Sequence, residues 1–237
     1  MTGETNAAEF DPVVDDVFAR IAGRYDRLCD TFSLFAHRLW KSRIAELMAR
    51  EGATNVLDVA SGTGDIPLRL LRRRPHQQIL VTDICPQMLS QAERKLEARS
   101  NVKFRLLDAH HLDLPDQSVD LYSISFGMKI CDRARVVSEA YRVLRPGGTF
   151  FCLEAARIPL KALHQAYLAY MDWCLPFIAR VATGGDASAY NYLLRGIHDF
   201  PAQRAFAVEL EQNGFESVTF QNLTFGIVAI HRAVKPS

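Results

Sequence analysis

A short turn with two glycines offers the clearest chemistry in the sequence. It runs Asp58-Val59-Ala60-Ser61-Gly62-Thr63-Gly64-Asp65 and follows an apolar run. Glycines lack a Cβ atom, so a ligand can lie directly against the backbone at the start of the helix that follows, where free N–H groups favour a carboxylate or a phosphate. The turn predicts a ligand-binding loop whose candidate contacts are Asp58, Ser61, Gly62, Thr63 and Gly64.

Polar residues also end the next three apolar runs. Asp83 comes about 20 residues after the turn, where a carboxylate can accept both hydrogen bonds of a ribose diol. Asp108 and Ala109 would flank an adenine and its amino group. Suitable groups at four successive strand ends predict an adenosyl ligand, and an acidic pocket suits the positive sulfonium of S-adenosylmethionine. The further candidate contacts are Asp83, Ile84, Asp108, Ala109 and Ser125.

A dinucleotide is the weaker alternative for this ligand. A pyrophosphate-binding fingerprint needs a third glycine three residues after Gly64, but Pro67 stands there. A nicotinamide oxidoreductase is therefore disfavoured, although binding of NAD and hydride transfer would reveal one.

Alternating strand and helix patterns must position these groups. Five β-α alternations predict a doubly wound parallel sheet, whose ligands lie outside the carboxyl ends of the strands. A closing antiparallel pair is what methyltransferases that use S-adenosylmethionine add to this Rossmann plan. We therefore expect an α/β, Rossmann-like, seven-stranded methyltransferase sheet. Its predicted strands are 55–60, 78–83, 102–107, 119–126, 149–154, 215–221 and 226–232, and its predicted helices are 66–74, 86–98, 134–144 and 201–213.

The length of 237 residues and the apolar content of 49% fit one domain with elaborations. Helical patterns fill the N-terminal part, and two more, 160–182 and 188–198, flank Gly184-Gly185. We expect a single methyltransferase domain, divided into N-terminal helices (1–50), a cofactor-binding core (51–158), an inserted helical lid (159–200) and a C-terminal helix with a β-hairpin (201–237).

Composition limits the partners. The formal net charge is +1, so no broad positive field favours nucleic acid. The five cysteines and the histidines show no metal-ligand spacing, which predicts reduced thiols and no metal. The N-terminus lacks the pattern of a signal peptide, and the apolar stretch 166–182 is too short and interrupted to span a bilayer. We expect a cytoplasmic protein, with peripheral contact to the inner membrane and a homodimer left open.

Beyond these patterns, the chain resembles a known family, the UbiE/MenG-type ubiquinone and menaquinone biosynthesis C-methyltransferases. The likeness runs from about Val17 to Val234. Its first signature resembles Tyr25–Trp40; the second resembles Arg142–Gly148 through Leu153-Glu154; the tail signature resembles 222–229 before His231. The resemblance implies S-adenosylmethionine as cofactor, a small apolar quinone-type acceptor, and cofactor contacts at Thr63, Asp83, Asp108, Ala109 and Ser125.

Departures from that family cluster where the acceptor should lie. Cys29 replaces the usual Asn, Lys129-Ile130 replaces an Arg-Asn pair, and Ala156 and Gly196 stand near positions that carry Ser. Each change removes a hydrogen-bonding or bidentate group. Three hypotheses remain open. They are C-methylation of a demethylated prenyl quinol, methylation of another aromatic or specialised metabolite, and use of the adenosyl ligand without methylation, either for a reaction such as the quinone amination that gives rhodoquinone or for structure alone.

Methylation of a quinol ring carbon requires the neighbouring hydroxyl to lose its proton, so the acceptor site needs alignment and a base. Lys129 is the leading candidate, with an ordinary surface lysine as the alternative. His37 and Trp40 lie one helical turn apart and could form the floor of the pocket, or a core pair. Tyr190, with Tyr192 and His198, could orient a polar head group, or pack in the lid. The aromatic stretch 160–182 could hold a prenyl tail, but core packing is the commoner explanation.

Overall fold

The computed structural model of the chain describes residues 18–20, 22–96, 99–183 and 196–237, without the side chains of Phe32 and of 174–183. Tyr190, Tyr192, Gly184-Gly185 and most of the predicted helix 188–198 lie outside the described residues. Within the described part, seven strands form one sheet in the order β3-β2-β1-β4-β5-β7-β6. They are β1 Asn55–Val59, β2 Gln78–Asp83, β3 Val102–Leu106, β4 Val119–Ser125, β5 Leu144–Ala155, β6 Glu216–Leu223 and β7 Val228–Val234.

The first five strands are parallel, and β7 lies antiparallel between β5 and β6. This arrangement confirms the predicted parallel sheet with a closing antiparallel pair. The helices are α1 Tyr25–Ser33, α2 Ala36–Arg50, α3 Asp65–Arg73, α4 Pro86–Lys95, α5 Arg133–Val143, α6 Lys161–Thr183 and α7 Gln203–Gln212, and residues 196–199 are also helical. The predicted elements that fall on described residues are present, mostly with ends within three residues.

The fifth strand differs from its prediction because it begins at Leu144 instead of Thr149. Leu144 pairs with Val119, and the register of this ladder then shifts before Leu121. Residues 145–148, which lie between the predicted helix and the predicted strand, are bonded to a segment near residue 235: Gly147 N donates to Lys235 O at 2.9 Å, and Lys235 N donates to Gly148 O at 2.9 Å. Pairing with a distant segment thus extends the strand.

Both faces of the sheet are buried, which explains the continuous apolar runs of its parallel strands. Successive side chains point to opposite faces. Phe150 of β5 therefore joins the cluster that contains Phe206 and Leu210 of α7. Phe151 joins the cluster on the other face, which contains Ile44 of α2.

The C-terminal hairpin is tied to α7 by a buried histidine on β7. His231 is 1% exposed, and its Nε2 atom donates to Gln203 O at 2.9 Å. The Gln203 side chain continues the link by donating to Arg157 O at 2.9 Å and to Asn222 Oδ1 at 2.8 Å. Burial lowers the pKa of His231 to about 4, because a protonated ring would place a charge in the core.

We expect His231 to make the fold sensitive to acid. The unfolded chain binds this proton at a pKa near 6.5, so it takes up more protons than the folded chain between about pH 6.5 and about pH 4. The free energy of unfolding should therefore decrease as the pH falls through that window, by about 2 kcal/mol from this group between about pH 7 and about pH 5. Urea unfolding at the two pH values measures the decrease.

His231→Gln is the matched variant, since its amide can still donate to Gln203 O but does not titrate. The pH-dependent loss of stability should be smaller in this variant by the same amount. Equal losses in the two proteins would show that His231 does not carry the effect.

Candidate active site

A cavity of about 190 Å³ lies at the carboxyl ends of β1 and β4. Its wall combines the glycine turn after β1 with residues of α1, α2, α3 and α6, and with Ile197. The carboxyl ends of parallel strands are where ligand sites occur in such sheets. The candidate site residues that line the cavity are His37, Asp58, Ser61, Gly62, Thr63, Ser125 and Lys129.

Asp58 brings an unsatisfied carboxylate oxygen to this cavity. The residue is 2% exposed. Its Oδ1 atom accepts a hydrogen bond from Ser123 Oγ at 2.5 Å, whereas Oδ2 is buried and has no partner among the described residues. Ser125 Oγ is likewise buried without such a partner. Burial raises the pKa of Asp58 to about 6. Buried polar atoms normally have partners, so these two atoms fit a bound ligand with polar groups.

The glycine turn presents an open backbone surface beside Asp58. Gly62 has a φ of 56°, which glycine adopts without strain, and a Cβ atom built there would meet nothing within 4 Å. Its N–H donates to Asp83 Oδ2 at 2.7 Å, and Asp83 Oδ1 accepts from Cys85 N at 2.9 Å. Asp83 therefore holds the turn in shape, and a carboxylate retains further lone pairs for a ligand.

The second glycine of the turn has a packing role. Gly64 has a φ of 77°, and a Cβ atom there would lie 3.0 Å from Ala92 Cβ and 3.1 Å from Leu96 Cδ1. It lets α3 start close against α4 and does not line the cavity. The sequence predicted that Gly64 lies in this turn, but no local pattern predicts its contact with α4, a later helix.

The candidate contacts on β2 and β3 lie beside the cavity and not in its wall. Leu107 N donates to Asp83 O at 3.1 Å, so the ends of these two strands are neighbours. The Asp108 carboxylate accepts from His110 N at 2.9 Å and bonds His110 Nδ1 at 2.7 Å. Ile84 is half-buried and Ala109 is buried. The structure thus brings the predicted residues to one sheet edge, in two adjoining groups.

A network of charged groups fastens the N-terminal helices over the turn. Thr63 Oγ1 donates to Asp26 Oδ1 at 2.7 Å. Lys95 Nζ lies 2.7 Å from Asp26 Oδ2, 2.9 Å from Thr63 Oγ1 and 2.9 Å from Asp65 Oδ1, and Lys41 Nζ lies 2.9 Å from Asp65 Oδ2. Burial alone would raise the pKa of Asp65, but the charges of Lys41 and Lys95 outweigh it and lower that pKa strongly. Lys41 and Lys95 belong to no motif in the sequence, and Asp65, the last residue of the glycine turn, was not among its candidate contacts.

His37 lies in the cavity wall with an acidic partner seven residues earlier in the chain, which no motif in the sequence indicates. His37 Nε2 is 2.8 Å from Asp30 Oδ1. Arg38 Nε and Nη2 each donate to the same carboxylate at 2.6 Å. Trp40 also lines the cavity, and its Nε1 atom donates to Thr224 Oγ1 at 2.7 Å. The pair His37 and Trp40 therefore contributes to the pocket, as one of its two interpretations predicted.

Lys129 is not the surface lysine that the alternative interpretation suggested. Its side chain is 5% exposed, and Nζ lies 3.3 Å from Glu154 Oε1, whose side chain is fully buried. Nζ also donates to the carbonyl oxygen of Phe126. A Cβ atom at Gly196 would lie 3.0 Å from Lys129 O and 3.1 Å from its Cγ. A serine in place of Gly196 would therefore crowd Lys129, so two of the four departures from the resembled family are in contact. Cys29, a third departure, lines the cavity as well.

Comparisons with known proteins identify the family and several relatives of the chain. The model of the ubiE/COQ5 methyltransferase family matches residues 4–235. The ubiquinone/menaquinone biosynthesis C-methyltransferase UbiE of Acidiphilium cryptum is 42% identical over 92% of this chain and 88% of its own length. UbiE of Rickettsia bellii is 38% identical over 97% and 95%, and the mitochondrial 2-methoxy-6-polyprenyl-1,4-benzoquinol methylase of Drosophila melanogaster is 36% identical over 96% and 81%.

Solved structures share the fold. Human N-acetylserotonin methyltransferase, solved in complex with SAM, aligns with a TM-score of 0.61 and 20% identity over 87% of this chain and 55% of its own. A SAM-dependent methyltransferase of Aquifex aeolicus aligns with a TM-score of 0.55 and 16% identity over 76% and 81%. At such identities the likeness concerns the fold alone.

These findings confirm the predicted Rossmann-like sheet, the predicted enzyme class and S-adenosylmethionine as the predicted cofactor. The hypothesis of a reaction without methylation gains no support from them. The match spans nearly the whole sequence and includes all the candidate site residues. The chain belongs to the ubiE/COQ5 methyltransferase family.

Proposed function

We propose that this protein transfers a methyl group from S-adenosylmethionine to a ring carbon of a demethylated prenyl quinol. The observation that carries the proposal is the cavity at the ends of β1 and β4, where buried polar atoms without partners, Asp58 Oδ2 and Ser125 Oγ, meet a largely apolar wall. Trp40, Phe126 and Met171 contribute that wall, which suits an aromatic ring. The names of the relatives, which act in quinone biosynthesis, support the same acceptor class.

The two halves of the cofactor, its amino acid and its adenosine, would bind to neighbouring parts of the sheet edge. When bound, S-adenosylmethionine supplies a methyl group on a positively charged sulfur. Asp58 Oδ2 has the free lone pairs and the charge to hold an ammonium group, and the open backbone at Gly62 admits a ligand in contact. Asp83, Ile84, Asp108 and Ala109 would hold the adenosine half. Ser61 and Thr63 keep the turn in place: Ser61 Oγ donates to Asp58 O at 2.8 Å, and Thr63 is bound to Asp26.

The acceptor half of the proposal concerns Lys129 and the wall around it. Lys129 lines the cavity, but its ammonium pairs with Glu154 and donates to Phe126 O, which weakens its attraction for an acceptor oxyanion. We therefore expect Lys129 to act mainly by shaping the pocket, and to a smaller extent through the charge of its ammonium group. Tyr190 lies outside the described residues, and its contact with a polar head group stays a prediction.

An apolar corner beside the cavity supports peripheral contact with a membrane. We define the corner patch as Leu34, Phe35, Leu39 and Phe225, which are 77%, 60%, 73% and 82% exposed. Leu34, Phe35 and Phe225 also have positive φ values, a backbone conformation that costs energy in bulky residues. Their apolar side chains are nevertheless exposed to solvent. Within the described part of the chain, no helix has the length and apolar character to cross a bilayer. The homodimer stays a prediction.

Methyl transfer is tested with labelled S-adenosylmethionine and short-chain demethylated quinols kept reduced. We expect one labelled methyl group per quinol, with one equivalent of S-adenosylhomocysteine. The oxidised quinone is the matched control and should gain no label, because it has no ionisable hydroxyl to activate the ring. Label that enters another component of a cell extract, but no quinol, would assign a different acceptor; no transfer to any component would reject the proposal.

The same assay measures what the charge of Lys129 contributes. Lys129→Met alone leaves the buried Glu154 carboxylate without a counter-charge and held only by the backbone N–H groups of residues 129 and 155, which should destabilise the protein by about 3–5 kcal/mol. The double variant Lys129→Met/Glu154→Gln removes both charges, keeps an oxygen that can accept from these N–H groups, and should recover most of that stability. Any loss of kcat that persists in the folded double variant reports the electrostatic contribution.

We expect Asp58 to control cofactor affinity. Asp58→Asn should weaken binding of S-adenosylhomocysteine, which keeps the ammonium group, by roughly 10- to 100-fold, since a hydrogen bond to a charged group is worth about 1.5–3 kcal/mol. Because the pKa of Asp58 is raised to about 6, the affinity of the unaltered protein should fall as the pH drops below that value, and the Asn variant should lack this fall. Calorimetric titration measures both. Asp113→Asn, at an exposed carboxylate, is the control; unchanged affinity in Asp58→Asn would contradict the assignment.

The corner patch should be needed for membrane contact. Leu34→Asn with Phe35→Asn keeps residues that tolerate positive φ while removing the apolar surface. We expect this variant to sediment less with anionic phospholipid vesicles and to bind S-adenosylhomocysteine normally. Leu106→Asn, at an exposed leucine on the outer strand β3, should sediment as the unaltered protein does. Equal sedimentation of all three proteins would exclude the corner patch.

A further inference from the structure

A sharp corner between α1 and α2 brings an acid and a histidine face to face. Leu34 and Phe35 have φ values of 47° and 66°, and Phe35 N donates back to Asp30 O at 2.9 Å. This reversal places Asp30 and His37, seven positions apart, with Oδ1 and Nε2 at 2.8 Å. Two bulky residues in the left-handed region are costly, so the surrounding structure must hold the corner in place.

The partners of Asp30 fix which nitrogen of His37 carries a proton. Two hydrogen bonds from Arg38, each 2.6 Å, hold Asp30 as a carboxylate. The bond from Arg38 and the one from His37 lower the pKa of Asp30 despite its burial. A carboxylate only accepts hydrogen bonds. His37 must therefore donate through Nε2–H, which leaves a lone pair on Nδ1.

That second nitrogen is buried and has no hydrogen-bond partner in the part of the chain that the structure describes. His37 is 5% exposed and belongs to the cavity wall together with Ser125 and Lys129. Burial lowers the pKa of His37, and the charge of Lys41 lowers it further, against the opposing effects of Asp30 and Asp65. The ring is neutral at neutral pH and can accept a proton.

Asp58 Oδ2, in the same wall, also has a free lone pair, but the proposed function assigns it to the ammonium group of the cofactor. The other titratable groups of the wall are paired or stay protonated. Lys129 is a cation bonded to Glu154 and to Phe126 O. The pKa of the Tyr25 hydroxyl is raised, chiefly by Cys29 and by burial, and burial raises the pKa of the Cys29 thiol. Both groups stay protonated near neutral pH, and Lys41 and Asp65 are paired with each other.

We propose that His37 Nδ1 is the general base that takes the proton from the acceptor hydroxyl, and that Asp30 is the positioning residue that fixes its tautomer. The inference rests on the methyl transfer proposed above. As the O–H bond breaks, its electron pair moves into the ring, and the ring carbon bonds to the methyl carbon while the methyl–sulfur bond breaks and its pair stays on sulfur. The ring carbon then loses its hydrogen as a proton to solvent, and the imidazolium returns its proton to the oxygen. One proton is released overall.

The test compares His37→Gln and Asp30→Asn with Arg43→Gln, a control on α2 whose side chain bonds Glu46 and Gln221 and does not line the cavity. The glutamine side chain of His37→Gln can still donate to Asp30 but supplies no base, so kcat should fall by roughly 10²- to 10⁴-fold with little change in the KM for S-adenosylmethionine. Asp30→Asn should also lower kcat, because an amide can pair with either tautomer. The loss in His37→Gln should shrink as the pH is raised towards the pKa of the quinol hydroxyl, or with an acceptor that carries a more acidic hydroxyl.

Nitrogen-15 NMR of the labelled histidines gives a readout that does not depend on turnover. We expect the Nε2–H tautomer for His37 in the unaltered protein and a mixture of tautomers in Asp30→Asn. If the unaltered protein methylates quinols and His37→Gln does so equally well, or loses activity that an acidic acceptor does not restore, the base assignment is wrong while the proposed function stands. If no acceptor is methylated, the proposed function fails, and an Nδ1–H tautomer would independently reject the role of Asp30.

Discussion

The need to pair buried polar groups governs this site. Burial removes water as a partner, so a polar atom at the carboxyl ends of β1 and β4 must find one within the protein or in a ligand. Most of these atoms do: Asp26, Thr63, Asp65, Lys41 and Lys95 bond one another in a continuous network. The exceptions are Asp58 Oδ2, Ser125 Oγ and His37 Nδ1, each buried without a described partner in the same cavity wall. These unpaired atoms are the ones with which a bound ligand can form hydrogen bonds or exchange a proton.

The two N-terminal helices connect the cofactor turn with the acceptor wall. α1 contributes Asp26, which binds Thr63 of the turn, and Asp30, which binds His37 of α2. α2 contributes Lys41, which binds Asp65 at the start of α3. One helical hairpin therefore aligns the proposed base with the proposed methyl donor. Such alignment is the main requirement for transfer between two bound reactants.

The departures from the resembled family form a physically connected set. Lys129 lacks the bidentate hydrogen bonding of an arginine, is neutralised by Glu154, and touches Gly196, where a larger residue would not fit without movement. With Lys129 already paired, the proton chemistry falls to a group outside that set. His37, which lines the same cavity and has Asp30 as its acidic partner, fills this role in our proposal.

The sequence alone determined the fold class and predicted which strand ends carry the candidate cofactor contacts. Glycine turns, strand-end acids and periodic apolar runs are local patterns, and the sheet gathers successive strand ends at one edge, so Asp58, Asp83, Asp108 and Ser125 could be found in advance. Only the tertiary structure decided the rest. Several features depend on contacts between separate segments of the chain, and no local pattern predicts such contacts. They are the start of β5 at Leu144, the packing of Gly64 against Ala92, the pairing of Lys129 with Glu154 and the pairing of Asp30 with His37. Burial then decided the chemistry, because the same side chains in water would be ordinary solvated charges.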